Sequence, residues 1–250
     1  MPDDNKVALI TGSGHGIGKA AALRLAGRGW TVAINDLKPE FVDEAVAEVE
    51  AAGGKAIPVV RNVGSREGVH AAVDTVMAQA GRLDGFVNNA AWVRYQAIPD
   101  IAPETLERMV NIGFSGYIWG IQAAAAAMDD ARGGAIVNVA SAAAFRSAPN
   151  SLVYSAIKAG VTGMTRAAAT ELGPRGIRVN AVAPSAIPTE GTQKHRNAER
   201  DAQRIAATPL GRLGTVDDIA RAICYLLDPE SDFVTGQVMV VDGGIMTTIR

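Results

Sequence analysis

The sequence predicts an α/β fold: a single domain built on a doubly wound parallel sheet of about seven strands, with helices on both faces. Three observations carry this. Short, almost continuously apolar runs recur from end to end, as expected of strands buried on both faces of a parallel sheet. Segments with helical spacing fill the gaps, and such alternation implies right-handed crossovers. The first run also passes straight into a glycine-rich turn, TGSGHGIG at 11–18, from which a helical pattern departs.

In chain order, Val7–Ile10 opens the series and is followed by a helix over Gly16–Arg28. Thr31–Asn35 leads into Pro39–Ala52, and Ala56–Val60 into Ser65–Ala80. Gly85–Asn88 precedes a long helical pattern, Pro103–Met128, containing the alanine run 123–127. Ala135–Val139 is followed by Ser151–Leu172, and Arg178–Val182 by a polar stretch without a strand. Val216–Leu227, with Thr215 and Asp218 spaced for a capping box, precedes the last strand, Val238–Val241. No linker or repeat divides the chain, so residues 1–250 read as one domain, with a polar lid segment at about 188–208.

The chain has 250 residues, 48% of them hydrophobic and 20% charged, enough apolar material for one large core. Its formal net charge is −2, with no basic excess to hold phosphate backbones or an anionic membrane. No nucleic-acid or membrane partner is expected. The single cysteine, Cys224, lies among apolar residues and reads as a small buried hydrophobe. The three histidines, His15, His70 and His195, are scattered, so no metal is expected. No signal peptide or membrane-length apolar stretch is present, and the expected location is the cytoplasm.

A glycine turn between strand and helix lets backbone N–H groups and the helix dipole meet a pyrophosphate. Asp36 closes the next strand, where a carboxylate accepts both ribose hydroxyls of an adenosine and repels a 2′-phosphate. Tyr154 and Lys158 stand at i and i+4, on one helix face. That spacing suits either a packed tyrosine beside a solvated lysine or a proton-transfer pair.

These segments together resemble the short-chain dehydrogenase/reductase family over essentially the whole chain. TGSGHGIG matches its TGxxxGxG, VNNAA (87–91) its NNAG, and YSAIK (154–158) its YxxxK. VNIG (110–113), IVNVASAAA (136–144), IRVNAVAPSAIPTE (177–190) and TGQVMVVDGG (235–244) match further segments in order. The resemblance implies a Rossmann-type fold and an oxidoreductase moving hydride between a secondary alcohol or ketone and NAD. In that reading Tyr154 is the general acid/base and Lys158 lowers its pKa and binds the nicotinamide ribose. Ser141, thirteen positions before the tyrosine, holds the substrate oxygen, and Asn111 anchors a proton relay.

Around the cofactor the resemblance places Gly12, Gly16, Ile17 and Gly18, then Asp36 with Leu37, Asn62 with Val63, and Asn89, Ala90 and Ala91. Tyr154, Lys158, Pro184, Ser185, Ile187 and Thr189 complete the set. His15 lies where NADP-preferring relatives often carry Arg or Lys; a neutral imidazole offers little to a 2′-phosphate, so His15 is expected to line the loop without selecting. Asn62, Ala91 and Ser185 depart from the family's usual Asp, Gly and Gly. Substrate-side residues are expected to be Trp92, Val93, Arg94 and Tyr95, with Ala143, Phe145 and Arg146. Other readings are an NADP-dependent 3-oxoacyl or ketone reductase, opposed by Asp36, and a non-catalytic dinucleotide-binding protein, opposed by the intact Asn111, Ser141, Tyr154 and Lys158. The resemblance, the small residues of 151–172 and the apolar last strand point to a homotetramer.

Overall fold

The computed structural model describes residues 5–190 and 197–248. Its strands are β1 Val7–Ile10, β2 Thr31–Asp36, β3 Lys55–Val60, β4 Gly85–Asn88, β5 Gly134–Val139, β6 Ile177–Pro184 and β7 Val238–Val241. All pair in parallel, in the order β3-β2-β1-β4-β5-β6-β7. The helices are α1 Gly16–Ala26, α2 Pro39–Ala51, α3 Arg66–Ala80, α4 Pro103–Val110, α5 Gly116–Ala127, α6 Leu152–Leu172, α7 Ala198–Ala207 and α8 Val216–Leu227.

Strand side chains alternate between two apolar layers. Ala8, Ile10, Val32, Ile34 and Val137 pack beneath α1, α2 and α8. Val7, Leu9, Ala33, Phe86 and Ile136 pack beneath α3, α5 and α6. The expected doubly wound sheet of seven strands is therefore present. Helix ends follow local chemistry: Ser65 accepts from the Gly68 N–H to start α3, and Thr215 and Asp218 form a reciprocal capping box at α8.

The helix expected over Pro103–Met128 is not continuous. After α4 the chain takes a five-residue π turn, Asn111–Ser115, in which the Gly116 N–H reaches back five residues to the Asn111 carbonyl. The cause is tertiary. The backbone of Gly116 lies so close to the Val63 carbonyl that a side chain there would collide with it. The extra residue in the turn accommodates that approach and sets Asn111 at the start of the irregular backbone. Of the expected lid, 191–196 lies outside the described residues; its remainder includes α7. Among the described residues no helix is long and apolar enough to cross a membrane.

Polar side chains also sit in the middle of the sheet. Asn88 on β4 donates to Asn138 on β5 at 2.9 Å and to the Tyr117 carbonyl at 3.2 Å. Asn138 donates in turn to the Thr165 hydroxyl on α6 at 3.0 Å. All three side chains are buried, so each relies on the others for partners. Asn138→Ala is expected to cost about 1–3 kcal/mol, the penalty for orphaned buried polar groups. Urea denaturation checks this; an unchanged midpoint would show that the chain of bonds carries no stability.

Candidate active site

The strand order reverses between β1 and β4, and ligands of open α/β sheets bind at the carboxyl ends of the strands beside such a point. Two cavities, of about 400 and 420 Å³, open on this edge.

The first lies over the glycine turn. Thr11 organises the turn: its hydroxyl donates to the Val87 carbonyl and accepts from the N–H groups of Asn89 and Ala90. Asn89 donates its side-chain amide to the carbonyls of Thr11 and Gly12. Gly12 has φ 61°, and a Cβ there would stand 2.8 Å from the Ala90 Cα. Of the residues expected around a cofactor, Gly12, His15, Gly16, Ile17, Asp36 and Leu37 line this cavity, as do Asn62, Val63, Asn89, Ala90, Ala91 and Thr189. Gly18 is buried under the turn. Ile187 packs against the core beside α8, and Pro184 ends β6. Asn62 accepts from the Gly64 N–H at 2.9 Å, so part of its acceptor capacity is already used.

His15 is more than a lining residue. Its Nδ1 stands 3.7 Å from Asp36 Oδ2, an ion-pair contact, and has no closer partner. The Asp36 carboxylate raises the His15 pKa above its ordinary value, against burial. Burial works to raise Asp36, but His15 and the Lys38 and Leu37 N–H groups outweigh it and lower its pKa. Phe41 packs against the imidazole in a tilted arrangement, with ring centres 5.3 Å apart. The position of Asp36 relative to the loop creates this pair, and the sequence pattern does not reveal it.

This edge fits a dinucleotide. The first turn of α1 contains no acidic residue, and the Gly16 N–H donates to the Glu190 carboxylate at 3.3 Å, so that helix terminus already receives an anion. The Asp36 carboxylate lines the same cavity and would be available as an acceptor for a ribose diol.

The second cavity is lined by Ser141 and Tyr154, two of the four residues expected to be catalytic. Ser141 lies two residues beyond β5; its hydroxyl accepts from the Ala143 N–H at 3.1 Å, and it lines the cavity together with Tyr154, whose phenolate it favours. Lys158 is fully buried one turn along α6 from Tyr154. It donates to the Val139 carbonyl at 2.7 Å and to the Tyr117 hydroxyl at 3.3 Å. The Asn111 turn packs against α6. The electrostatics differ from expectation: burial pushes Tyr154 up to about 12, with Ser141 opposing, and burial pushes Lys158 down to about 7. The lysine head points to a backbone carbonyl and stands 5.9 Å from the Tyr154 ring centre, so desolvation dominates both groups.

Tyr95, Ala143 and Arg146 line this cavity, as does Ser185, expected on the cofactor side. Trp92 lines the first cavity instead, with the Arg108 guanidinium 4.3 Å from its ring centre. Val93, Arg94 and the exposed Phe145 line neither. Asn150 is the one non-glycine at positive φ among the described residues, so Ala91 and Ser185 occupy backbone open to any side chain. The sequence reading missed Ile245, Met246 and Thr248, which form a wall of the second cavity. They are held there because the Leu210 N–H bonds the Gly243 carbonyl, tying the C-terminal segment to the region after α7.

Residues 12–246 match the family model described as Enoyl-(Acyl carrier protein) reductase. The chain is 40% identical to the 3-oxoacyl-[acyl-carrier-protein] reductase FabG of Thermotoga maritima, covering 97% of this chain and 98% of that one. It is 37% identical to a cyclohexanol dehydrogenase of Acinetobacter sp., over 96% and 94% of the two chains. Among solved structures it resembles a gluconate 5-dehydrogenase from Burkholderia cenocepacia in complex with NADP and tartrate. That match has a TM-score of 0.92, 32% identity, and coverage of 98% and 96%.

The buried Lys158 ammonium has a testable cost. The unfolded chain holds that proton up to the ordinary lysine range, whereas the folded protein releases it near 7. Wild-type stability therefore gains from rising pH across that window. Lys158→Met removes the dependence, so its stability relative to wild type is expected to be greatest near pH 6 and to decline toward about pH 10. Denaturation midpoints at both ends check this; a difference constant with pH would contradict it.

Proposed function

The chain belongs to the short-chain dehydrogenase/reductase family, and from that premise we propose that it is an NAD-dependent oxidoreductase interconverting a secondary alcohol and its ketone. The observation that carries this reading is that Ser141 and Tyr154 line one cavity of small-molecule size, with Lys158 one turn beyond the tyrosine on α6. Bound NAD supplies the hydride acceptor, and its positive ring favours the phenolate. The chain's residues handle position and protons. Because the Ser141 oxygen accepts from a backbone N–H, its proton is available to Tyr154 or to a substrate oxygen. Tyr154 takes the alcohol proton in oxidation and returns it in reduction. Lys158, with Asn111 nearby, passes the proton on toward solvent. The glycine turn would hold the pyrophosphate and Asp36 the adenosine ribose.

A raised Tyr154 pKa makes alcohol oxidation rise through the alkaline range, since it needs the phenolate, and makes ketone reduction fall there. Tyr154→Phe is expected to lower turnover by about 10²–10⁴-fold with folding unchanged. Steady-state kinetics and thermal denaturation test both; near-normal rates in that variant would end this reading.

Asp36 supports NAD over NADP, since it repels a 2′-phosphate. NADP-dependent reduction is the second reading, favoured by Lys38 and Arg61 lining the same cavity. The His15 pair makes the choice pH-dependent. As pH falls through the raised His15 pKa, the imidazolium offsets Asp36; Glu190 reinforces this protonation and Lys19 opposes it. The NAD:NADP ratio of kcat/KM is therefore expected to increase with pH. Asp36→Ala should narrow it at every pH, and His15→Ala should flatten its pH dependence. A wild-type preference for NADP would favour the second reading.

We also propose a homotetramer. β7 is a free sheet edge, Val240 on it is 40% exposed and nearby Phe233 is 99% exposed, and pairing with a second copy would cover both. Light scattering at micromolar concentration tests this, a monomer being the contrary result.

A further inference from the structure

Two guanidinium groups line the Tyr154 cavity and have no role in proton or hydride transfer. Arg146 follows the short 3₁₀ turn that begins at Ser141, its N–H bonded to the Ala142 carbonyl. Its side chain has no carboxylate partner among the described residues. Arg204 enters from the other side, on the last turn of α7. It stands 3.9 Å from Asp201 on the same helix, beyond hydrogen-bonding distance. Its charge opposes the burial that raises the Tyr95 pKa, so it lies close to that phenol. The Tyr95 ring in turn meets Tyr154 edge-on, with centres 5.7 Å apart. Among the described residues neither Asp nor Glu lines this cavity, and the other polar side chains that line it carry hydroxyl groups, including Ser141, Ser147, Ser151 and Thr248.

We propose that the substrate carries a carboxylate, held between Arg146 and Arg204, so that the chain acts on a small hydroxy acid and its keto acid. This rests on the oxidoreductase reading above. An apolar alcohol would leave the Arg146 guanidinium without a counter-charge and Arg204 with only the Asp201 contact at 3.9 Å. A carboxylate matches a planar guanidinium in two-point hydrogen bonding. The two arginines arrive from separate elements, one fixed to the Ser141 turn and the other on α7. Anion binding would therefore draw α7 toward the reacting centre and anchor the substrate at a second point, which orients its hydroxyl carbon.

The test compares 3-hydroxybutyrate and 4-hydroxypentanoate with their methyl esters, which keep the carbon skeleton and remove the charge. Wild type is expected to favour the acids in kcat/KM. Arg146→Gln and Arg204→Gln should each raise KM for the acids by about 10–100-fold, the value of a charge-assisted hydrogen bond, and leave the esters unchanged. Esters used as well as acids, or variants that slow both alike, would overturn the proposal. Calorimetric titration of malonate into the NAD-loaded protein provides a readout independent of turnover. Saturable binding weakened in both arginine variants supports the site even if no alcohol is oxidised, a result that would remove only the oxidoreductase reading. Absence of malonate binding, or equal binding by the variants, overturns the anion site.

Discussion

The carbonyl of Val139, at the end of β5, is the point on which the active edge depends. It accepts from the buried Lys158 ammonium at 2.7 Å and from the Tyr117 hydroxyl at 3.2 Å, and those two donors also bond each other. One backbone oxygen thereby joins a strand to two helices. β5 continues from it to Ser141, α6 carries Tyr154 one turn before the lysine, and α5 carries Tyr117. A buried ammonium is costly to desolvate and tolerable only where acceptors are fixed. The same requirement that satisfies the lysine fixes Tyr154 and Ser141 relative to it.

The polar residues within the sheet extend this logic inward. A parallel sheet covered on both faces normally presents apolar strands. Here Asn35, Asn88, Asn138 and Asn180 interrupt four of them, and each is bonded across to a neighbouring segment. Asn35 also meets the glycine loop, with the Ser13 hydroxyl bonded to its N–H at 3.0 Å. These bonds hold strand ends and their following loops in fixed register. The loops must be fixed because they, and not the strands, supply most of the site.

What could be read from the sequence divides along the same line. The strands were legible because burial on both faces makes them continuous apolar runs, and the glycine turn because its chemistry is local. YSAIK was legible because helical spacing alone sets its two side chains on one face. The π turn was not, since the helical pattern runs unbroken through 103–128 and the break arises where Gly116 meets Val63. The electrostatic balance at Tyr154 is not legible for a related reason: spacing reports that a lysine is near, but burial and the Val139 carbonyl act on its charge and the direction of its head. The C-terminal wall of Ile245, Met246 and Thr248 carries no local signal at all, because its position depends on a bond between Leu210 and Gly243.

The two cavities also differ in how they are built. The first is formed almost wholly by turns at strand ends, tied by backbone bonds such as those of Thr11, and Asp36 is held by the two N–H groups that follow it. Such a cavity is preorganised, which suits a ligand common to many reactions. The second draws on α7, a helix with no buried residue, and on a C-terminal segment packed against the chain that follows that helix. Few apolar contacts mean a low local cost of displacement. Residues on such a helix can vary without disturbing the sheet, and Arg204 is one of them. Ser141, Tyr154 and Lys158 thus belong to the part of the molecule tied to the sheet, and Arg204 to a helix that can move without disturbing it.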